Sequence, residues 1–522
     1  MLTVPPLIPR LLLALTPLAT IAAAFFYFSQ TNVLQPTPYI DEIFHIPQTQ
    51  QYCKGNWNSW DSKITTPPGL YIIGYAWARM LTLTGLSESE ACSTLSLRAV
   101  NLMAVVIYIP ATLYIIQRRI WGSQAHFSAF SLVSFPLIWF YAALYYTDVW
   151  STATVLIALA FALSPRAPFY MVQLSALMCA VSLFFRQTNI LWAAVIAVIA
   201  IENSHYSNSA PPKNGALAQI FSTISYVFQI ELRTFNILMS YASVAVGFAF
   251  FLYINGGIAL GDKDNHVAGT HIPQVFYCAL FVTALGFPVW FTWAHVKAYI
   301  SSSFSIVGLT VRPLFIFVLI PQLLKKYAIE HPFLLADNRH YVFYLWRRLL
   351  KPAIYSTSVE DLMQSQEVID PKSIDPVSIG LKYALSAAIF FSLWNIWTTL
   401  TNSIPAAILV RGRGFDRRNG KSYSPAIDLQ CLTWPILLAM VFATLASLIP
   451  SPLIEPRYYI LPYLFWRIYM TPTTAGKRVN TDARFLREWV WYMLINAATV
   501  YMFLYKPFEW SHEPGVLQRF MW

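Results

Sequence analysis

The sequence predicts an all-α polytopic membrane protein, and three observations carry that expectation. Of its 522 residues 57% are hydrophobic and only 11% charged, whereas a soluble chain of this length carries about a quarter charged residues. Apolar runs recur along the whole chain, and none shows the ten-residue alternation of a membrane β-barrel. The basic residues sit mostly between those runs, where orientation charge belongs. The mean hydropathy of +0.50 excludes a disordered or fibrous chain. A net charge of +11 placed in this way is not the footprint of a nucleic-acid partner. Five scattered cysteines, with no CxxC pair and no Cys/His ligand spacing, argue against a zinc site or a disulfide framework.

Taken in order, residues 11–28 follow Arg10 and form the first span, retained because no small-residue cleavage site follows it. Further spans are expected at 97–116, 126–145, 149–163, 168–185, 190–201, 235–254, 274–293, 303–323, 380–400, 428–449, 458–470 and 487–505. Several fall short of the roughly 20 residues that cross a bilayer, which broken or tilted helices explain. Orientation follows from Lys and Arg. Arg118–Arg119, Arg166, the run Arg411, Arg413, Arg417, Arg418 and Lys421, and Lys477, Arg478, Arg484 and Arg487 should face the cytosol.

Parity then makes residues 29–95 one long non-cytosolic loop. The apolar stretch 69–84 lies within it as an interfacial or re-entrant helix. The same parity puts 145–148, 186–189, 261–271 and 455–459 on that side. Residues 325–351 conflict with the charge rule. They carry Lys325, Lys326, Arg347, Arg348 and Lys351 yet fall on the non-cytosolic side, so an extra crossing or a membrane-dipping segment is expected there. Residues 202–219 and 356–378 read as solvated loop insertions. No internal repeat is visible, which counts against an inverted-repeat transporter.

The chemistry gathers on the non-cytosolic side. In Tyr39-Ile40-Asp41-Glu42-Ile43-Phe44-His45-Ile46-Pro47-Gln48, a helix would place Asp41, His45 and Gln48 on one face and Ile40, Ile43 and Phe44 on an apolar stripe. A carboxylate at the lipid boundary loses water, which raises its pKa and suits a general base. The alternative is that Asp41 and Glu42 only complement the dipole of a first helical turn. Trp57-Asn58-Ser59-Trp60-Asp61 followed by Thr65-Thr66-Pro67-Pro68 suits a sugar, with Trp60 to stack and Asp61 to take hydroxyls. An interfacial Trp belt would read the same way.

Asp148, Arg186 and Arg457 are boundary charges, and a guanidinium there fits a lipid-borne phosphate. Pairing such as Glu455 with Arg457 is the structural alternative. Gln187 and Asn189 accompany Arg186. Asp262, His266 and His271 lack both EF-hand spacing and a metal-ligand pattern, and read as polar loop or substrate contacts.

At these residues the chain resembles the dolichyl-phosphoglucose α-1,2-glucosyltransferase family. The likeness runs through 39–48, 60–71, 145–148, 186–192, 261–274, 331–341, 455–462 and 519–522. Ser62 departs from the proline expected after Trp60-Asp61, and 202–219 and 356–378 fall outside the pattern.

The resemblance implies a GT-C glycosyltransferase fold of about 12–14 transmembrane helices, one domain over 1–522, with residues 29–95 as its lumenal first loop. It implies a multi-pass protein of the endoplasmic reticulum membrane, metal-independent and without a cofactor. The implied reaction moves glucose from dolichyl-phosphoglucose to the diglucosylated, mannose-rich dolichyl-diphosphate oligosaccharide, forming an α-1,2 bond with inversion. Asp41, with Glu42 beside it, corresponds to the acidic base. His45, Gln48, Trp60, Asp61, Asp148, Arg186, Gln187, Asn189, Asp262, His266, His271 and Arg457 are the expected substrate contacts. In a lumenal loop Cys53 and Cys92 have the oxidising surroundings that allow them to pair. The competing class is a membrane transporter or lipid flippase, whose boundary charges would line a path.

Overall fold

A computed structural model describes residues 7–121, 129, 131–165, 167–207, 211–212, 215–263, 267–355, 376–412, 414–415, 422–423, 432–470, 484–510 and 513–522. Arg166, His266, Arg413, Arg417, Arg418, Lys421, Lys477 and Arg478 lie outside the described residues, as does most of 356–378.

The first span is helix α1 (Leu7–Leu34). It is followed by two short helices, α2 (Glu42–Cys53) and α3 (Gly69–Leu83). At 15 residues, α3 reaches about 22 Å, against a hydrocarbon core of ~30 Å. Ser87 caps the single turn Glu88–Ala91 in a reciprocal capping box with Glu90, and Ser93 caps the next helix.

That helix, α4 (Thr94–Trp121), is one of four among the described residues long and apolar enough to cross a membrane. The others are α9 (Leu232–Asn255), α12 (Ile306–Tyr327) and the first part, Pro376–Ser403, of α14 (Pro376–Gly412). Shorter apolar helices lie between and after them: α5 (Thr147–Ala162), α6 (Phe169–Leu183), α7 (Asn189–His205), α8 (Ala216–Phe228), α10 (Pro273–Leu285) and α15 (Trp434–Leu448). Helix α11 (Trp293–Ser303) precedes α12. After α12 come α13, built end to end from Tyr341–Leu345, Trp346–Leu350 and Lys351–Tyr355, then α16 (Ile460–Tyr469) and α17 (Arg484–Tyr505). Two small antiparallel hairpins, one of them Phe508–Trp510 with Glu513–Gln518, are the only strands among the described residues.

The breaks have identifiable causes. Ala104–Tyr108, Phe315–Leu319 and Trp346–Leu350 are π turns. Each is followed, two residues past its end, by a proline: Pro110, Pro321 and Pro352. The ring of each proline meets the carbonyl four residues back, at the middle of the π turn, and has no N–H to offer it, so the ladder widens there.

Several expectations shift. The loop expected at 29–95 runs from 35 to 93, because α1 and α4 continue further than hydropathy alone indicates. The span expected at 126–145 is not one helix among the described residues. Pro136–Phe140 and a 3-10 turn, Tyr141–Ala143, replace it. The solvated loop expected at 202–219 is a correction: Glu202–His205 end α7, Glu202 is buried, and α8 starts at Ala216. Glu202 accepts from the hydroxyls of Thr223 and Thr433, each at 2.5 Å. Local polarity suggested solvent, whereas these hydroxyls satisfy the carboxylate inside the protein. Between 328 and 355 no described helix is by itself long and apolar enough to cross a membrane, and the helical stretch of α13 is about 22 Å long.

Although the sequence reads as one domain, the chain groups into two compact units. The first comprises Met1–Val267, Leu400–Ala443 and Leu464–Leu504; the second comprises Ala268–Thr399, Thr444–Tyr463 and Tyr505–Trp522.

Candidate active site

The first loop has its own core. Ile46, Tyr52, Ile64, Leu70, Tyr71, Ala91, Cys92, Leu97 and Tyr145 pack together, and a Cys53–Cys92 disulfide closes the loop across 39 residues. Within this frame Ile40 has φ 50°, a left-handed conformation unusual for a β-branched residue. It turns the chain so that Asp41 becomes the N-cap of α2.

The two adjacent carboxylates then part company. Glu42 is fully buried and forms a two-pronged pair with Arg98, Nε to Oε1 at 2.9 Å and Nη2 to Oε2 at 2.6 Å. Its oxygens also accept from the backbone N–H groups of Tyr39, at 3.1 Å, and Tyr145, at 2.7 Å. Arg98 is buried too and donates further to Asn32 and to the carbonyls of Gln35 and Thr37. Glu42 is therefore an anchor with both oxygens engaged. Sequence reading missed Arg98, although a lone arginine at the start of an apolar span calls for a buried counter-charge.

Asp41 is half-buried, and its N–H donates to the Tyr146 hydroxyl at 3.2 Å. One turn on, His45 Nδ1 lies 2.8 Å from the Tyr71 hydroxyl, and the His45 ring meets that of Tyr146 edge-on at 6.3 Å. Burial holds the Tyr71 phenol well above its usual pKa, and the neighbouring Tyr145 and the Asp41 charge add to this. Trp60 packs edge-on against Tyr71 with centroids 5.8 Å apart. A carboxylate at a helix start, with Tyr146 and His45 beside it and its charge felt by Tyr71, can take a proton.

The other expected contacts divide into holders and charged groups. Gln48 donates to Ser59 O at 2.7 Å and accepts from Asp61 N–H at 3.0 Å, while Asp61 Oδ1 caps Lys63 N–H at 2.9 Å. Gln187 donates to the carbonyls of Thr65 and Ile258, at 2.8 and 3.0 Å. Leu260 and Asp262 N–H groups donate to Thr65 and Ser62. A side chain at Gly261 would collide with Ser62 O, 2.1 Å from the position of its Cβ, so glycine alone allows this close backbone approach. Asn189 gives its amide hydrogens to Ser151 Oγ and Ser182 O, at 2.8 and 2.9 Å. Gln48, Gln187 and Asn189 thus spend these donors inside the protein and position strip 59–66 and the neighbouring helix ends. Sequence could not separate holders from contacts, because the residue types are the same.

Asp148, buried, holds Arg186 at 2.7 Å, and the arginine side chain stays one-fifth exposed. This is a cation fixed on the same unit as Asp41. On the second unit Arg457 pairs with Glu455 at 3.0 Å. His271 is buried with Nδ1 3.1 Å from Pro452 O. Burial pushes its pKa down to about 4 against the raising effect of the Ser451 and Pro452 carbonyls, so it is a neutral holder of the 449–453 turn. Gln274 holds the same turn through Ser451 O and Leu453 O.

A profile of the DIE2/ALG10 family matches residues 35–468. The chain belongs to the DIE2/ALG10 family. The Yarrowia lipolytica protein named Dol-P-Glc:Glc(2)Man(9)GlcNAc(2)-PP-Dol alpha-1,2-glucosyltransferase is 94% identical over 100% of both chains. A Debaryomyces hansenii protein of the same name is 32% identical over 93% of this chain and 94% of its own. Among solved structures, the apo Archaeoglobus fulgidus oligosaccharyltransferase aligns with 88% of this chain and 57% of that one, at 13% identity and a TM-score of 0.28, too low to bear on the fold. The stretch matched to the DIE2/ALG10 profile takes in Asp41, Arg98, the Asp148–Arg186 pair and Arg457.

Proposed function

We propose that this protein is a glucosyltransferase that moves glucose from dolichyl-phosphoglucose onto the diglucosylated, mannose-rich dolichyl-diphosphate oligosaccharide, forming an α-1,2 bond with inversion. The names of its relatives in the family support transfer over the transporter reading. The observation that carries the mechanism is the division of labour between adjacent carboxylates: Glu42 is saturated by Arg98 and two backbone N–H groups, while Asp41 stands at the head of α2 among aromatic side chains.

In this mechanism Asp41 takes the proton of the acceptor's 2-hydroxyl as that oxygen attacks C1 of the donor glucose from the face opposite the phosphate. The C1–O bond to phosphate breaks, and dolichyl phosphate leaves with the bond's electron pair. A phosphate is a good leaving group, so a second, protonated carboxyl is not required, in contrast to glycoside hydrolysis. A cation meets the growing charge: Arg457 is the sequence-based choice, and Arg186, clamped by Asp148, has equivalent chemistry. The reaction needs no metal or cofactor in this reading. The compartment is the endoplasmic reticulum lumen, and the Cys53–Cys92 disulfide in the loop that carries Asp41 favours an oxidising side.

The test is transfer in vitro with dolichyl-phosphoglucose and the diglucosylated lipid acceptor, comparing wild type with Asp41→Asn. Wild type should transfer, and the variant should lose about 10²–10⁴-fold in rate while keeping its thermal stability. A wild type that transfers nothing refutes the activity. Full activity in Asp41→Asn refutes the assignment of the base.

A further inference from the structure

Basic residues on the non-cytosolic side of a membrane protein run against the usual charge bias, and the parity of the spans expected from sequence puts Lys325, Lys326, Arg347, Arg348 and Lys351 there. The structure gathers them. The last turns of α12, which carry Lys325 and Lys326, pack against the Lys351–Tyr355 turn of α13. All five basic side chains are exposed. Glu330, in the segment between the two helices, accepts from Lys351 Nζ at 2.6 Å and from Trp346 Nε1 at 2.9 Å on α13.

Helix α13 is amphipathic. Val342, Trp346, Leu350, Ala353 and Ile354 are buried, while Arg347, Arg348 and Lys351 are exposed within little more than one turn. The guanidinium groups of the two arginines lie over their own helix's aromatic rings: Arg347 Cζ is 6.0 Å from the Phe343 centroid and Arg348 Cζ 5.8 Å from that of Tyr344. With its apolar face buried against the protein, this helix turns a basic and aromatic face outward, the residue mix that favours a membrane boundary.

We propose that this α12–α13 platform binds the diphosphate of the lipid-linked acceptor. The proposal rests on the glucosyltransferase reading. That acceptor reacts at the glucose end of its glycan, several sugars away from the diphosphate that joins it to the lipid. Its diphosphate therefore stays at the membrane boundary while the reacting hydroxyl is handled elsewhere. A diphosphate offers several anionic oxygens on two centres, which a cluster of Lys and Arg matches better than a single cation does. The platform lies wholly within the second unit, whereas Asp41 belongs to the first.

The test reads binding without turnover. Full-length protein in neutral phosphatidylcholine nanodiscs is titrated with a short-chain polyprenyl diphosphate, comparing wild type, R347Q/R348Q/K351Q and the charge-conserving R347K/R348K/K351R. Neutralisation should raise Kd by about tenfold, and the charge-conserving variant should return it to within about twofold of wild type. In turnover, the ratio of kcat/KM for the lipid-linked acceptor to that for the same glycan freed of its diphosphate should fall by about the same factor.

An unchanged Kd overturns the proposal. So does an equal weakening toward polyprenyl monophosphate, which would assign the platform to the donor. Displacement of the probe by phosphatidylinositol at equal mole fraction also overturns it, because the platform would then read the bulk membrane surface. A wild type that binds the probe but transfers no glucose refutes the activity and leaves the platform standing.

Discussion

Two neighbouring acidic residues in α2 meet opposite fates, and no property of either side chain decides which. Asp41 and Glu42 have the same charge and share a helical turn, but the Ile40 backbone twist aims one inward onto Arg98 and leaves the other at the helix head. Replacing Glu42 with Gln should therefore act on stability first. It leaves Arg98 buried opposite a neutral partner and should cost about 3–5 kcal/mol, read as a drop in thermal midpoint and yield, where Asp41→Asn loses turnover alone. Full stability with lost turnover in Glu42→Gln would contradict this. His271 gives a pH signature. Its folded pKa of about 4 lies below the ordinary ~6.5, so an unfolded chain takes up the proton first on acidification. The stabilisation is complete above about pH 6.5 and drains away toward pH 4, by up to about 1.4 kcal/mol per pH unit. Thermal midpoints between pH 7.5 and 5 should fall more steeply for wild type than for His271→Gln, and parallel slopes would contradict the assignment.

Among the elements, the spans were readable because apolar length is a local property, and most of the expected helices are present within a few residues. Elements set by partners were less readable. The end of α7 and the start of α8 were hidden in a stretch that looks like a polar insertion, because Glu202, Thr223 and Thr433 satisfy one another only after folding. The span at 126–145 breaks at Phe135–Pro136, where hydropathy registers no interruption. The first loop is an element in its own right, with a core and a covalent tie. A bridge across 39 residues is worth about 2–4 kcal/mol. Reductant should accordingly lower the thermal midpoint of wild type and leave a Cys53→Ser/Cys92→Ser variant unmoved; finding both cysteines as free thiols by mass spectrometry would refute the bridge.

For the whole molecule, sidedness is the property that joins spans to function. The chain contains no Asn-x-Ser/Thr sequon, so engineered ones report without background. One near Ser87 should be glycosylated and one near Asn419 should not, and the reverse pattern would invert the topology. Sequence by itself determined the class of molecule, the approximate positions of the spans, the long first loop and the motif that holds Asp41. These follow from composition and spacing, which survive without three-dimensional information. It also supplied the family resemblance that the DIE2/ALG10 profile bears out. Only the tertiary structure decided which polar residues are committed to the protein itself. Glu42, Gln48, Gln187 and Asn189 look like site residues in one dimension, yet most of their partners lie from 11 to more than 100 residues away. The physical reason is that a buried polar group must be satisfied, and the group that satisfies it is chosen by packing, which local sequence does not encode.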